Sequence, residues 1–169
     1  MNAVGKWLFL SQLWIPFARR PNAASYAFGL VRYVIYVTLS VTAVLAAFNL
    51  DFRTAPGFIA MLTAVGLYEE LFRFSIMYRA DRPYRSGLIF TTFVEVVETS
   101  GFLTSDILHQ QLLAFAELRL LTTIMHYGIT LIEAAAIRAG SRWRWPIFGV
   151  CVLLHVVFDC IAWYFMERG

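Results

Sequence analysis

The sequence predicts an all-α fold, a polytopic membrane helix bundle of five transmembrane helices preceded by an N-terminal interfacial helix. Three observations carry this prediction. Of the 169 residues 60% are apolar and only 15% charged, against about 45–50% and about 25% in soluble domains. Five apolar runs are each long enough to cross a bilayer, for which about 20 residues are needed. The Lys and Arg residues alternate from loop to loop. Residues 1–169 therefore read as a single integral membrane domain. Net charge is +3, too small and too scattered for a nucleic-acid binder, so the bilayer is the expected partner and nucleic acid is not.

Residues 1–20 hold Trp7, Phe9, Trp14 and Phe17, but their apolar run stops at Pro16 before Arg19-Arg20. It is too short to span, and a double arginine after it disfavours export. An interfacial arm retained in the mature protein is expected. The spans follow at about 27–49, 55–79, 86–104, 110–138 and 144–166. The connections are Asp51 to Gly57, Asp81 to Arg85, the stretch around Thr104-Ser105-Asp106, and Gly140 to Arg142. Each is short, so neighbouring spans are expected to run antiparallel. Lys and Arg number three in the arm, then one, three, none and three in successive loops, and one at the C-terminus. The positive-inside rule then places the N-terminus in the cytoplasm and the C-terminus outside. Cys151 and Cys160 lie nine residues apart in one apolar run, too far along a helix for a disulfide, and read as small hydrophobes.

A charge at mid-bilayer costs on the order of 2.5–3.5 kcal/mol, so each charge within a span needs a reason. The second span carries Glu69, Glu70 and Arg73; the third Glu95 and Glu98; the fourth Glu117, Arg119, His126 and Glu133; the fifth His155 and Asp159. Measured from the arginines at the cytoplasmic ends, Glu69, Glu95, His126 and His155 all lie roughly 15–18 Å deep. Glu69 and Arg73 are spaced i, i+4, as are His155 and Asp159. Glu95 and Glu98 are i, i+3, and Arg119, Thr122, His126, Thr130 and Glu133 form one stripe. Such stripes turn from lipid toward the bundle axis, and a hydrated polar cavity walled by spans two to five is expected. Five unpaired carboxylates there would cost of order 12–17 kcal/mol, so some must be protonated, share protons or bind a cation. Glu133, near the cytoplasmic end, is expected to reach water or pair with Arg138. Arg32 is expected to snorkel, Glu117 to sit at the outer interface, and His109 to be solvated. Trp143, Trp145, Trp163 and Tyr164 read as interface anchors.

These residues resemble the PrsW family of intramembrane proteases, relatives of the CAAX prenyl-protease and bacteriocin-processing enzymes. Glu69-Glu70-Leu71-Phe72-Arg73 is similar to the family's Glu-Glu-x-x-Lys motif with Arg for Lys. His126 is similar to the lone histidine of the penultimate motif, and His155-Val156-Val157-Phe158-Asp159 to a His-x-x-x-Asp motif. Either Glu95 or Glu98 would stand for the glutamate of the remaining motif. The match runs in order over about residues 66–160. The resemblance implies a glutamate-dependent endopeptidase acting on a membrane-anchored protein or peptide substrate. Catalytic residues would be Glu69, Glu70, His126 and His155, supported by Arg73, Glu95, Glu98 and Asp159. Glu69 or Glu70 would take a proton from the attacking water, and the histidines would serve the oxyanion and the departing amine. No cofactor is expected. A metal-assisted version would use a divalent ion such as zinc on His126, His155 and Glu70. Two other classes remain: a proton- or ion-coupled transport component, and a non-catalytic membrane adaptor on the same fold. The absence of an obvious inverted repeat weighs against transport.

Overall fold

A computed structural model describes residues 23–51, 53–103, 112–140 and 142–168. The N-terminal arm, the Thr104-Ser105-Asp106 connection and His109 lie outside these residues. The described chain is all-helical. The five helices are α1 (Ala23–Ala47), α2 (Ala55–Arg79), α3 (Pro83–Leu103), α4 (Leu112–Arg138) and α5 (Arg144–Arg168). Their borders fall within a few residues of the expected spans, and local chemistry sets the differences. After α1, Asn49 turns to a φ of 49° while Leu50 N–H bonds Leu45 C=O, a left-handed stop that asparagine tolerates. Thr54 caps α2 by accepting from Gly57 N–H. Helix α3 starts three residues earlier than expected because Pro83, read from the sequence as part of a turn, occupies the first helical position, where no N–H is needed. Gly140, with φ of 62°, closes the turn beyond α4.

Four of the helices, α1, α2, α4 and α5, are long and apolar enough to cross a membrane, the trait of a membrane protein. Large apolar side chains such as Leu39, Leu120, Ile124, Leu153 and Ile161 point outward from them. Helix α3, 21 residues long, is not one of these four among the described residues; it carries Arg85, Glu95 and Glu98.

Helix α2 touches each of the other four. On one side it builds an apolar seam with α1 and α3, in which Phe72 and Ile76 meet Tyr26, Tyr33, Phe90 and Val94. Near its end, Phe74 stacks on Trp145 and Phe148 of α5, with centroids 5.1 and 5.0 Å apart. On its remaining side, α2 closes a ring with α3, α4 and α5. The polar residues converge inside that ring.

Candidate active site

Helical spacing puts Glu69, Glu70 and Arg73 on one face of α2, and the structure ties them together. Arg73 donates through Nη2 to Glu69 Oε1 and through Nη1 to Glu70 Oε1, the latter at 2.5 Å. All three are fully buried, and the planar guanidinium fork suits two carboxylates at once. From α5, His155 Nδ1 reaches Glu70 Oε1 at 2.5 Å. From α4, His126 Nδ1 reaches Glu95 Oε1 on α3, also at 2.5 Å. The two imidazoles then face each other, Nε2 to Nε2, at 3.2 Å. Glu69 stands beside both, with its oxygens 3.8 Å from each Nε2.

The α3 side repeats the α2 pattern. Arg119 donates to Glu95 Oε2 at 2.6 Å and to Glu98 Oε2 at 3.2 Å, and Thr123 adds a hydroxyl to Glu95 Oε2 at 2.7 Å. Both third-span glutamates are therefore engaged, and Glu95 is the one that touches a histidine. Asp159 lies one turn beyond His155, with Oδ2 3.5 Å from its Nε2. The sequence reading placed Arg119 on the polar stripe of α4 without giving it a site role. Its seven-residue offset from His126 and two facing glutamates lacking a cation were the available signal.

The fit between the helices depends on two glycines. A Cβ at Gly66 would stand 3.0 Å from Val156 and 3.6 Å from the His155 ring, so glycine lets α5 bring its histidine to Glu70. A Cβ at Gly87 would come within 2.8 Å of Thr130 Cγ2. Glycine there lets α3 approach α4, where Thr91 and Thr130 hydroxyls meet at 2.7 Å.

Two expectations need correction. The hydrated cavity is a packed polar core instead: Glu69, Glu70 and Arg73 are 0% exposed, His126 1% and His155 2%. Each finds a partner on its own helix or a neighbouring one, so no surface remains for water against the acids of α2. Exposure rises only toward Arg119, Asp159 and Glu98, at 11%, 19% and 27% of their side chains. That is the end holding the C-termini of α3 and α5. Second, Glu133 neither reaches water nor pairs with Arg138. It is fully buried and both its oxygens lack a hydrogen-bond partner, because it lies on the same inward face as His126 and Thr130. Of the residues a metal would draw on, Glu70 meets the Nδ1 side of His155. The buried group whose donor atoms lie within 4.8 Å of one another is Glu69, His126 and His155.

This arrangement has a definite chemical capacity. A carboxylate only accepts hydrogen bonds, so each Nδ1 carries a proton toward its glutamate, and in the Nε2–Nε2 contact at least one nitrogen must accept. Glu69 Oε2 also lacks a hydrogen-bond partner. An accepting Nε2 and a carboxylate oxygen thus lie close together, a set that a shared proton or a cation would satisfy. Imidazole nitrogens on a tetrahedral zinc stand about 3.3 Å apart, and ligating histidines commonly give their other N–H to a carboxylate. The residues fit a divalent metal by both criteria. No family model, curated protein or solved structure matches the chain.

Proposed function

We propose that the chain is an intramembrane endopeptidase of the PrsW type, hydrolysing a peptide bond in a membrane-associated polypeptide. The observation that carries this reading is the convergence of donor atoms of Glu69, His126 and His155, from three helices, at one buried point where Glu69 Oε2 has no hydrogen-bond partner. Glu69 takes a proton from water as the water oxygen bonds the carbonyl carbon. A histidine Nε2 that holds a proton stabilises the oxyanion, and the departing amine takes the proton that Glu69 removed from the water as the C–N bond breaks. Glu70 and Glu95 hold the rings in orientation, and Arg73 and Arg119 hold those glutamates. Substrate and water enter from the Glu98, Arg119 and Asp159 end.

Five membrane spans are part of this proposal. Helix α3 is flanked by α1, α2 and α4, and its Glu95 and Glu98 pair with Arg119 of α4. Loop charges support a cytoplasmic N-terminus and an outer C-terminus, an orientation that reporter fusions at the two ends test.

A metal-assisted form of the same reaction is favoured by one observation, the 3.2 Å approach of two Nε2 atoms whose Nδ1 partners are both carboxylates. His126, His155 and Glu69 would hold the ion. A divalent metal such as zinc would polarise the carbonyl and acidify a bound water. Metal analysis of the purified protein, and activity after chelation, separate the two forms.

The test uses quenched-fluorescent single-span peptides reconstituted with the purified chain in vesicles. Glu69→Gln, His126→Gln and His155→Gln are expected to lower cleavage by roughly 100-fold or more. Undiminished cleavage by Glu69→Gln and His155→Gln contradicts the assignment, and ion flux without cleavage in the same vesicles favours transport.

A further inference from the structure

At the end of the bundle opposite the opening toward Glu98 and Asp159, the α2–α3 connection meets the last turn of α4. A cavity of ≈ 400 Å³ lies there, lined by Asp81, Arg82, Pro83, Tyr84, Arg85 and Arg138. This volume falls in the range of small-ligand sites, about 300–1,000 Å³. Three arginines and one aspartate are among the six residues that line it. Arg138 lies over the Tyr84 ring at 5.9 Å, which joins the end of α4 to the start of α3. Among the described residues no carboxylate pairs with Arg82, Arg85 or Arg138. Positive charge therefore exceeds the one carboxylate, Asp81, at this site, whereas Arg73 and Arg119 are each held by two glutamates.

The chemistry that satisfies such a site is a phosphate. Guanidinium forks match phosphate oxygens two at a time, and the N-terminus of α3, opened by Pro83, adds a favourable dipole for an anion. Its surroundings select the source of that phosphate. Exposed Tyr78, Trp143 and Trp145 occupy the same end of the bundle, the amphipathic aromatics expected at head-group level. One to two turns inward on α4 from Arg138, Leu131 and Ile132 expose apolar surface along which acyl chains can lie. We propose that this pocket binds the head-group phosphate of an anionic phospholipid, a specific site rather than general attraction of basic loops to a charged membrane.

The test titrates the full-length chain in detergent micelles with dihexanoyl-phosphatidylglycerol and follows binding by thermophoresis. Dihexanoyl-phosphatidylcholine and inorganic phosphate serve as comparison arms. Saturable binding of the phosphatidylglycerol is expected, weakened roughly tenfold or more in Arg82→Ala and Arg138→Ala, since each removes a charged hydrogen-bond donor. Arg138→Lys is expected to fall between, keeping the charge without the fork. Arg142→Ala removes the same charge at the same end outside the pocket and is expected to bind like the unmodified chain. Equal weakening by Arg142→Ala reduces the effect to surface charge and overturns the proposal. So does equal affinity for phosphatidylcholine, or inorganic phosphate binding as tightly as phosphatidylglycerol. All four substitutions are at exposed side chains, and unchanged circular dichroism is the control for folding.

Discussion

Apart from Glu133, each buried charge among the described residues is held by a specific opposite. Arg73 grips Glu69 and Glu70, Arg119 grips Glu95 and Glu98, and each histidine extends one of these groups toward the centre. Two similar half-networks thus meet at the Nε2 contact of His126 and His155. Removing one partner of a buried pair strands the other, which costs about 3–5 kcal/mol. Arg73→Met strands two carboxylates, so its midpoint of thermal or detergent-induced unfolding is expected to drop accordingly. Arg73→Lys is expected to recover part of the loss, because one ammonium cannot reproduce the two-pronged grip. Unfolding of Arg73→Met at the unmodified chain's midpoint contradicts the pairing. The local half of this network was legible in the sequence, since residues four apart on a helix must be neighbours: Glu69 with Arg73, His155 with Asp159. The cross-helix half was not. The partners Glu70–His155 and Glu95–His126 depend on how each helix is rotated about its axis, which spacing within one helix does not specify. Glu133 was misjudged for the same reason, since its nearness to Arg138 along the chain outweighed the stripe it shares with His126.

Among the helices, small residues decide how closely the site can be drawn together. Gly66 and Gly87 lie at the α2–α5 and α3–α4 approaches, whereas a Cβ at Gly128 or Gly149 would meet nothing within 4 Å. The four glycines should therefore respond differently to alanine. Gly87→Ala forces α3 back from Thr130 and Met77 and is expected to lower stability by about 1–3 kcal/mol. Gly128→Ala and Gly149→Ala are expected to raise it by about 0.4–1 kcal/mol through the lost freedom of the unfolded chain. Gly66→Val, with branches directed at Val156 and His155, is expected to reduce activity more than stability. Equal responses at Gly87 and Gly128, read from unfolding midpoints, contradict the close approach. Helix positions were legible because apolar run length and the arginine-bearing turns bound each one. The start of α3 at Pro83 was not, because a proline that reads as a loop signal serves equally as a first helical residue. Neither glycine was legible, since a close approach belongs to two helices at once.

At the scale of the whole molecule, α2 is the organising element, with an apolar seam toward α1 and α3 and a polar face toward α4 and α5. The common depth of Glu69, Glu95, His126 and His155, reckoned from sequence, corresponds to a real meeting point, but a dry and closed one. A bilayer gives such groups no water to turn to, so they pair with each other, and exposure rises only toward Glu98 and Asp159. The whole account depends on the meeting of two histidines from α4 and α5. Magic-angle-spinning NMR of the chain in bilayers, with ¹⁵N-labelled histidine, reads that meeting without reference to activity. A through-space ¹⁵N–¹⁵N cross-peak between the Nε2 atoms of His126 and His155 is the expected result, lost in either His→Gln variant. No cross-peak in folded, unmodified protein would place the rings apart and contradict the account.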